Sequence, residues 1–554
     1  MPSNDPLKTL RSRVSTAVEP YISKYHPRPY RETKIVRDVI WGMVNILPHE
    51  LALVDSPLFQ RLRRVKQTSL AQFTYPCAGH SRFEHSLGCL AAADRVLNAL
   101  QRRIQITEKD RFLIRLAALL HDCTHGPFSH TSEAFYKSDP IFDAIRTAKP
   151  ELYELFRRAN ASEILTYCFI TSKPFRHVWE EMLNQYERSG HYRLGGLLSE
   201  NDRWQIATMI VGADFNPERP EASPGLERRY LRQLINGPFD VDKLDYIARD
   251  GYFTGLSLAI DVERLLWILD TILLEADQNG RRARAICVSA SGATVLEQIL
   301  FSKMQLYSSV YHHHKVRVSH QALLRLFTCL KQAGVRIRGL SLDDPATYMC
   351  LDDADILHAC EYVPHARRES QPLKEARLLT REILERNLPR RALVLTHPVW
   401  GKDPQRPSDR DRKTWEAKMK ASDQPGRFAR QVARAAGEKV TDIWVDIPGS
   451  APLQGTAQEG FVKFDDRTYL AIVEIFPIGG WLSGYDAYRS ISYVFSRENR
   501  ERVGRIAREV LANEYGVKTN DVSLKLARTD LDGRLHPDNK NALKTARRRG
   551  PRQV

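Results

Sequence analysis

The sequence predicts a mostly α-helical protein that carries a small C-terminal α/β lobe. From residue 34 to about residue 334, successive segments place apolar residues at three-and-four spacing, which is typical of helices packed into a core. Between residues 439 and 477, apolar and polar residues alternate instead, which is typical of strands. With 554 residues and 42% hydrophobic content, the chain is large enough to form more than one core.

The elements are expected to follow one another in six segments. These are an N-terminal arm at 1–33, a helical core at 34–335, a helical extension at 336–400, a charged linker at 401–438, the α/β lobe at 439–528 and a basic tail at 529–554. Within the core, RARAICVSA (282–290) predicts a strand, whereas VERLLWILDTILLEA (262–276) predicts a helix. In the lobe, DDRT (465–468) predicts a hairpin turn, and RENRERVGRIAREVLANEYG predicts an amphipathic helix.

The formal net charge of +16 favours anionic partners, but it does not choose between nucleotides, nucleic acid and an acidic surface. Arg547 to Arg549 could contact a nucleic-acid backbone. Many solvated arginine faces and a solvated tail would explain the same charge without any partner.

The eight cysteines predict free thiols in a reducing compartment, because they show no paired spacing and most fall within apolar stretches. The N-terminus has no apolar signal core, and no stretch approaches the roughly 20 apolar residues that span a bilayer. We therefore expect a cytoplasmic protein without a membrane partner.

Four residues could share one hydrolytic metal ion: His85, the adjacent pair His121 and Asp122, and Asp242. Two imidazoles and two carboxylates can hold such an ion and leave positions open for water and a substrate oxygen. A histidine–aspartate pair alone is weak support, since His121 could also be a histidine bonded within the core.

The residues around these four suit a phosphate ester. His125 and His130 follow the pair, and either could deliver a proton to a leaving oxygen. On the helix predicted around Asp242, spacing places three side chains on nearly the same face, with Lys243 beside them: Tyr246, Arg249 and Asp250. The arrangement predicts a metal-dependent phosphohydrolase.

Four segments resemble the HD-domain deoxynucleoside triphosphate (dNTP) triphosphohydrolases: DSPLFQRLRRVKQ, YPCAGHSRFEHSLG, HDCTHGPFSH and DVDKLDYIARD. Weaker similarity continues through YHHHK and DADILHACEY to about residue 395, so the resemblance covers more than half of the chain in order. The α/β lobe is only loosely similar to that family.

The resemblance implies hydrolysis of dNTPs to a deoxynucleoside and inorganic triphosphate. It implies metal binding by His85, His121, Asp122 and Asp242, with Mn, Fe, Mg, Zn or Co as the ion. It implies that further residues contact or act on the substrate, with catalytic roles for His125, His130, Arg82 and Asp250, and binding roles for Gln67, Arg82, Lys243, Tyr246 and Asp250.

The resemblance also implies a guanine-nucleotide activator site at contacts between subunits of a homo-oligomer, a tetramer or a hexamer. The matching positions are Lys34, Asp55, Gln60 and Arg63. The alternative is that DSPLFQRLRR is only a helix start with Asp55 as its cap and an exposed basic face.

Three departures leave the substrate open. Ser162 stands where the family has a proton-transferring histidine, Thr68 where it has a leucine that excludes a ribose hydroxyl, and Met304 where it has a phosphate-contacting arginine. One alternative is therefore a nuclease or phosphoesterase that acts on single-stranded nucleic acid or another nucleotide. A nucleotide sensor without catalysis is a further alternative, although binding alone does not require all four metal positions.

Overall fold

The structure, a computed structural model, describes residues 5–28, 30, 32–189, 197–275, 280–361, 363, 369–421, 423–449, 460–489 and 491–528. It is mostly α, as the sequence predicts. The first helices are α1 (Pro6–Ile22), α2 (Pro48–Val54), α3 (Pro57–Arg61), α4 (Arg82–Leu100), α5 (Glu108–Leu120), α6 (His130–Tyr136), α7 (Pro140–Ala148), α8 (Pro150–Phe156), α9 (Ala161–Ile170), α10 (Lys173–Ser189), α11 (Glu200–Ile210) and α12 (Arg229–Ile235). The later ones are α13 (Val241–Thr254), α14 (Val262–Ile268), α15 (Ala293–Leu306), α16 (His314–Gln332), α17 (Asp353–Leu357), α18 (Gln371–Leu384), α19 (Asp409–Lys418), α20 (Gln424–Ala436), α21 (Ile472–Ile475), α22 (Ile478–Arg489), α23 (Arg500–Tyr515) and α24 (Val522–Arg528).

The strands form small sheets. They are β1 (Lys34–Asp38), β2 (Gly42–Ile46), β3 (Leu269–Leu273), β4 (Arg284–Ser289), β5 (Arg336–Ile337), β6 (Leu340–Ser341), β7 (Arg390–Leu395), β8 (Ile443–Asp446), β9 (Phe461–Lys463), β10 (Tyr469–Ala471) and β11 (Ser492–Ser496). Among the described residues, the strand orders are β1-β2, β10-β9-β4-β3, β7-β11-β8 and β5-β6. The chain divides into two compact units: unit 1 comprises 1–311, 323–384 and 452–478, and unit 2 comprises 312–322, 385–451 and 479–554.

The segment predicted as an N-terminal arm contains a buried helix. Asp5 caps α1 by accepting the backbone N–H groups of Leu7 and Lys8. A narrow apolar stripe at Leu7, Leu10 and Val14 is almost fully buried. The polar composition of the segment concealed this stripe, and residues 6–22 are part of unit 1 rather than an arm.

The helix predicted over residues 262–276 is correct for its first half and wrong for its second half. Helix α14 ends at Ile268, and Leu269–Leu273 continues as β3, which pairs antiparallel with β4. The strand predicted at RARAICVSA is confirmed as β4. A short apolar run does not distinguish a helix from a buried strand, and here the backbone partner decides.

The predicted DDRT hairpin is confirmed, but it belongs to unit 1. Asp465 accepts the backbone N–H groups of Arg467 and Thr468 at 2.8 and 2.7 Å, and the flanking strands β9 and β10 pair antiparallel. Strand β9 also pairs parallel with β4, some 170 residues earlier in the chain. The hairpin therefore completes the sheet of unit 1 and is not part of the lobe.

Unit 2 consists of the sheet β7-β11-β8 and the helices around it. The segment predicted as a charged linker contains α19 and α20, whose Trp415 and Phe428 are buried with ring centroids 5.4 Å apart. These residues lie in the core cluster of unit 2, so the segment is folded. The amphipathic helix predicted near the C-terminus is confirmed as α23. The predicted tail, 529–554, lies outside the described residues.

All eight cysteines are free thiols, and Cys77 is the exposed one. Among the helices that the structure describes, none combines the length and the apolar composition needed to cross a bilayer.

Candidate metal centre

Three separate parts of unit 1 bring His85, His121, Asp122 and Asp242 together; we call these residues the metal quartet. His85 lies in the first turn of α4, which Glu84 stabilises by accepting the backbone N–H of Ser81. His121 and Asp122 follow the last residue of α5, and Asp242 lies in the first turn of α13.

The donor atoms of the quartet converge. His85 Nε2 lies 3.1 Å from Asp242 Oδ1 and 3.4 Å from Asp122 Oδ2. His121 Nε2 lies 3.5 Å from the same oxygen of Asp122 and 4.0 Å from Asp242 Oδ1. Side chains that are more than 150 residues apart in sequence thus point their donors at one place.

The far nitrogen of each imidazole is already bonded. His85 Nδ1 lies 2.7 Å from Asp245 Oδ2, and His121 Nδ1 lies 2.8 Å from the carbonyl oxygen of Ala118. Because an acceptor faces each Nδ1, we infer that this nitrogen carries hydrogen and that Nε2 is left for a ligand bond. His121 Nε2 is buried and has no hydrogen-bond partner among the described residues. The residues present therefore fit a divalent metal ion.

Neighbouring imidazole and guanidinium groups compensate the two carboxylates of the quartet. Burial opposes ionisation of Asp122, but Arg82 and His121 hold its pKa well below the usual range. Burial also opposes the ionisation of Asp242. The hydrogen bond from His85 outweighs this effect and lowers the pKa of the Asp242 carboxyl. The pKa of His85 stands well above its usual value, against burial, because a thiol and three carboxylates surround it. A metal ion that binds here replaces that proton.

Asp245 orients His85 and was not anticipated from the sequence. Besides His85, its carboxylate accepts hydrogen bonds from the Arg249 guanidinium at 2.8 and 2.9 Å and from Trp41 Nε1 at 2.6 Å. Arg249 also pairs with Asp38 at 2.9 Å and is fully buried. The sequence-based placement of Arg249 beside the substrate is therefore wrong, because its guanidinium is engaged with Asp245 and Asp38.

Gly88 allows α4 and α13 to approach closely. A Cβ atom on Gly88 would lie 1.9 Å from Asp245 Oδ1 and 2.3 Å from Arg249 Nη2. The glycine of the HSLG motif is therefore required where the ion pair that supports His85 passes over α4.

Cys89 adds a sulfur donor that sequence reasoning missed. Its Sγ lies 3.6 Å from His85 Nε2, one helical turn after that histidine. One donor atom from each of His85, Cys89, His121 and Asp242 lies within 4.8 Å of the others. Burial raises the pKa of this thiol, so it is protonated while no metal is bound.

Arg82 holds an unused donor beside the quartet. It is 2% exposed, donates from Nε to Ser129 Oγ at 3.0 Å, and pairs through Nη1 with Asp122. Its Nη2 is buried without a hydrogen-bond partner in the part of the chain that the structure describes. A guanidinium fixed in this way is suited to bind a phosphate oxygen.

A strained turn follows the histidine–aspartate pair. Phe128 and Ser129 have positive φ angles of 57° and 53°, which residues other than glycine rarely adopt. The turn is held by Asp353, which accepts the N–H of Phe128 at 2.6 Å, and by a bond of 2.6 Å from Ser129 Oγ to the carbonyl of Lys66. It positions the partner of Arg82 and the start of α6.

His125 and His130 lie in different environments, although both were expected to act on the substrate. His125 is buried, its Nε2 lies 3.1 Å from Asp122 Oδ1, and burial lowers its pKa to about 4. His130 has a side chain that is 70% exposed, and its Nδ1 lies 3.0 Å from Glu133. Burial opposes the ionisation of Glu133, but the bond from His130 lowers its pKa to about 2.

The predicted substrate-binding residues on α13 are engaged within the chain. Lys243 pairs with Asp240, and also donates to the carbonyl of Gly237 at 2.9 Å. Asp250 lies between His80 Nε2, at 2.8 Å, and the Tyr311 hydroxyl, from which it accepts a hydrogen bond. These contacts fix side chains whose substrate roles remain predictions.

Tyr246 and Gln67 are the other expected binding residues. Tyr246 is partly buried, and burial raises its pKa well above the usual value. Gln67 is 8% exposed, and its side-chain oxygen has no hydrogen-bond partner among the described residues. Thr68, beside it, is buried, and its hydroxyl lies 3.4 Å from the carbonyl of Ala78.

Two charged residues lie next to positions that depart from the pattern of the resembling family, Ser162 and Met304. Glu163 follows Ser162, and burial raises its pKa to about 8. Lys303 precedes Met304 and is 5% exposed, and burial lowers its pKa to about 8, with a further effect from Lys243. Both oxygens of Glu163 accept hydrogen bonds, from the Asn160 N–H at 2.7 Å and from Asn236 Nδ2 at 3.2 Å. Lys303 puts a cation one residue from Met304, where the resembling family has an arginine.

The residues of the implied activator site are near the surface. Gln60 donates to the carbonyl of Val54 at 2.8 Å and accepts from Arg63 Nε at 2.8 Å. Asp55 accepts a hydrogen bond from Tyr30, and Lys34 is exposed on β1. Ser56, and not Asp55, caps α3, so the alternative reading of Asp55 as the helix cap is wrong.

Comparison with known proteins identifies the class. The pattern described as the HD domain matches residues 82–250, which include the whole metal quartet, and the pattern described as the HD associated region matches residues 260–521. The chain therefore contains an HD domain followed by an HD associated region.

Its relatives include proteins described as deoxynucleoside triphosphate triphosphohydrolase SAMHD1. The Dictyostelium discoideum homolog is 27% identical over 364 residues, 65% of this chain and 60% of that protein. The Homo sapiens protein is 28% identical over 376 residues, 64% of this chain and 54% of that protein. The Bos taurus protein is 31% identical over 246 residues, 42% of this chain and 38% of that protein. The chain thus spans about half the length of the curated relatives it matches.

Proposed function

We propose that the chain is a metal-dependent phosphohydrolase that converts a dNTP into a deoxynucleoside and inorganic triphosphate. The observation that carries the proposal is the metal quartet, whose donors converge beside Arg82 with its unbonded Nη2. The named activity of the relatives supports the choice of dNTP as substrate. Hydrolysis at the α-phosphorus breaks the bond to the 5′ oxygen and adds one water.

The quartet would hold a divalent ion, with Cys89 as an additional donor. A bound divalent ion polarises a phosphoryl oxygen and makes a water molecule more acidic. Arg82 binds a non-bridging oxygen through Nη2 and offsets the charge that develops there. Lys243 and Lys303 add positive charge for the remaining phosphates, and Tyr246 and Gln67 contact the nucleoside.

We assign delivery of a proton to the leaving oxygen to His130, whose side chain is 70% exposed. His125 is neutral at pH 7, since burial lowers its pKa to about 4, so it supplies no proton at that pH. Burial raises the pKa of Glu163 to about 8, but both of its carboxyl oxygens accept hydrogen bonds within the chain, from the Asn160 N–H and from Asn236 Nδ2.

The test is direct. The full chain is incubated with Mn²⁺ and each dNTP or NTP, alone and in pairs, and triphosphate is separated from the other products by ion exchange. We expect triphosphate from at least one dNTP, and a loss of at least about 1,000-fold in rate for Asp242→Asn, because a missing ligand removes the ion. Asp143→Asn is the matched control, since that side chain is 90% exposed on α7. A metal-loaded protein that is inert towards every nucleotide contradicts the proposal.

Thr68 favours a second candidate, hydrolysis of a ribonucleotide or of single-stranded nucleic acid. A hydroxyl stands where the resembling family has an apolar side chain that excludes a ribose hydroxyl. Equal rates on GTP and dGTP, with a preference for dGTP in Thr68→Leu, would support this candidate. Shortening of a labelled oligonucleotide that Asp242→Asn abolishes would support the nuclease form.

We also propose that a guanine nucleotide activates the chain through Lys34, Asp55, Gln60 and Arg63. Asp55 can accept from the guanine edge, and Arg63 can hold a phosphate once it leaves Gln60. Oligomerisation would complete such a site. Rates that rise only when a guanine nucleotide is added would support this proposal.

A further inference from the structure

A cavity of about 410 Å³ lies in unit 1 and is lined by none of the quartet or predicted substrate-binding residues. Its wall comes from α1, from the junction of α9 and α10, and from α11. Its charged lining residues are Lys8, Arg11, Lys173, Arg176 and Arg203. All five are cations, so the cavity is suited to an anion.

Two of the five cations are fixed by carboxylates outside the lining. Arg11 donates from Nε to Thr171 Oγ1 at 3.0 Å and from Nη1 to Glu218 at 3.1 Å. Arg203 is 1% exposed and donates from Nε to Glu200 at 3.2 Å. These pairs hold the wall in place, and their own charges are compensated.

Two of the other three cations, Lys8 and Lys173, supply the uncompensated charge. Lys8 and Lys173 are exposed, and neither lies within salt-bridge distance of a carboxylate in the part of the chain that the structure describes. Arg176, with a side chain 54% exposed, uses its Nε for Glu180 at 2.8 Å. Helix α10 begins at Lys173, so the positive end of its dipole also faces the ligand space.

The indole of Trp204 lines the cavity and helps to place the arginines. The guanidinium carbons of Arg11, Arg203 and Arg219 lie 5.3, 5.7 and 5.8 Å from its ring centroid. Cation–π attraction to the indole helps to hold these guanidinium groups near the ring. The cavity is therefore built from positioned side chains and not from surface lysines alone.

We propose that this cavity binds the phosphate group of a phosphorylated small molecule. Its volume lies in the range of small-molecule sites. Ammonium and guanidinium groups, the hydroxyl of Ser12, and a helix N-terminus together match the oxygens of a phosphate. No carboxylate is among the described lining residues, which favours an anionic ligand over a cationic one.

The test uses the double variant Lys8→Glu/Lys173→Glu. Both positions lie in the first turn of a helix, where glutamate is favourable, so the helices are expected to form as before. The control is Lys149→Glu/Lys374→Glu, which makes the same charge change at two exposed helix starts that do not line the cavity.

Titration calorimetry is run on the full chain with a chelator present, so that binding at the metal quartet does not contribute. The probes are inorganic phosphate, pyrophosphate, a deoxynucleoside monophosphate, citrate and a single-stranded oligonucleotide. We expect the wild-type chain and the control to bind a phosphate probe alike, and the double variant to bind at least roughly 10-fold more weakly.

The probes also separate the sources of the phosphate. Tighter binding of pyrophosphate than of the monophosphate indicates an inorganic or polyphosphate ligand, and the reverse order indicates a nucleotide. Absence of phosphate binding in the wild type, equal binding in the double variant, or binding of citrate or the oligonucleotide alone overturns the proposal. Hydrolysis by the metal-loaded double variant should be unchanged, which separates this outcome from failure of the proposed function.

Discussion

The metal quartet and the segment that matches an activator site lie in the same unit but are built differently. The quartet residues His85 and Asp122 are buried and are oriented by side chains from other parts of the chain. The activator-matching residues Asp55 and Arg63 are exposed, and bond to residues 25 and 3 positions away. The quartet is therefore held by bonds from distant segments of the chain, whereas the activator-matching residues bond to residues near them in sequence.

The difference predicts how sensitive each region is to substitution. The donor atoms of the quartet are held by hydrogen bonds from elsewhere in unit 1. Gln60 and Arg63 must break their mutual bond before either can hold a nucleotide. We therefore expect substitutions near the quartet to have large effects, and substitutions in the activator-matching segment to have small ones.

The largest expected effect comes from Gly88→Ala. The added Cβ would lie 1.9 Å from Asp245 Oδ1, inside a buried ion pair, so either the pair or the helix packing must give way. We expect a loss of about 3 to 5 kcal/mol in unfolding free energy, measured by denaturant titration. Gly479→Ala is the control, because its Cβ meets nothing within 4 Å. Equal stability of the two variants would show that α4 and α13 are not tightly packed.

A smaller effect is expected from pH, at His49 of α2. This histidine is fully buried, its ring centroid lies 4.9 Å from that of Phe112 in an edge-to-face arrangement, and burial lowers its pKa to about 4. The unfolded chain takes up the proton first, so this stabilisation is complete above about pH 6.5 and is lost as the pH falls towards 4. The contribution is up to about 3 kcal/mol.

The measurement is the unfolding free energy at several pH values between 7.5 and 5 for the wild type and for His49→Leu. The wild type should lose more stability than the variant over this interval. Parallel curves would mean that His49 is not buried in solution.

A smaller effect is expected for Asp245→Asn. This variant tests whether the Asp245 carboxylate, which is not one of the quartet, orients His85 for metal binding. The variant replaces the carboxylate that faces His85 Nδ1 by a neutral amide, so the imidazole becomes a weaker and less fixed donor. We expect Mn²⁺ affinity to fall roughly 10- to 100-fold, measured by competition with a metal indicator. Asp143→Asn should bind as the wild type does, and an unchanged affinity for Asp245→Asn would contradict the positioning role.

The smallest effect is expected for Arg63→Ala. Its guanidinium lies 3.5 Å from the ring centroid of Phe83 and bonds only to Gln60 among the described hydrogen bonds. We expect a change in stability within about 0.5 kcal/mol. Stimulation by a guanine nucleotide should be lost while the unstimulated rate stays the same. A wild type that shows no stimulation removes the activator proposal.

The sequence predicted site residues best where their relative positions follow from helix geometry. Helix geometry indicated that the adjacent His121 and Asp122 could reach one ion, whereas the grouping of His85 and Asp242 with them came from the family resemblance. Asp245 escaped notice because its role depends on the approach of α4, which no local pattern reveals. Arg249 was misplaced for the same reason, since Asp245 and Asp38 compete for its guanidinium.

The fold was predictable as a class and less so in its boundaries. Periodicity identified the helices of the core, because their buried faces are wide. It missed α1, whose buried stripe is narrow and lies among charged residues. It did not identify Leu269–Leu273 as a strand, and it did not reveal that Phe461–Lys463 pairs with β4, since strand pairing is decided by partners elsewhere in the chain.

The parallel pairing of β4 with β9 has a consequence for synthesis on the ribosome. Strand β4 is complete at Ser289, yet its second neighbour is not made until Lys463 has been added. During that interval, one edge of β4 has backbone groups exposed for pairing with another chain. At a usual rate of about 5 to 20 residues per second, the interval lasts on the order of 10 to 30 seconds. A nascent chain stalled before residue 461 is therefore the species most prone to aggregate.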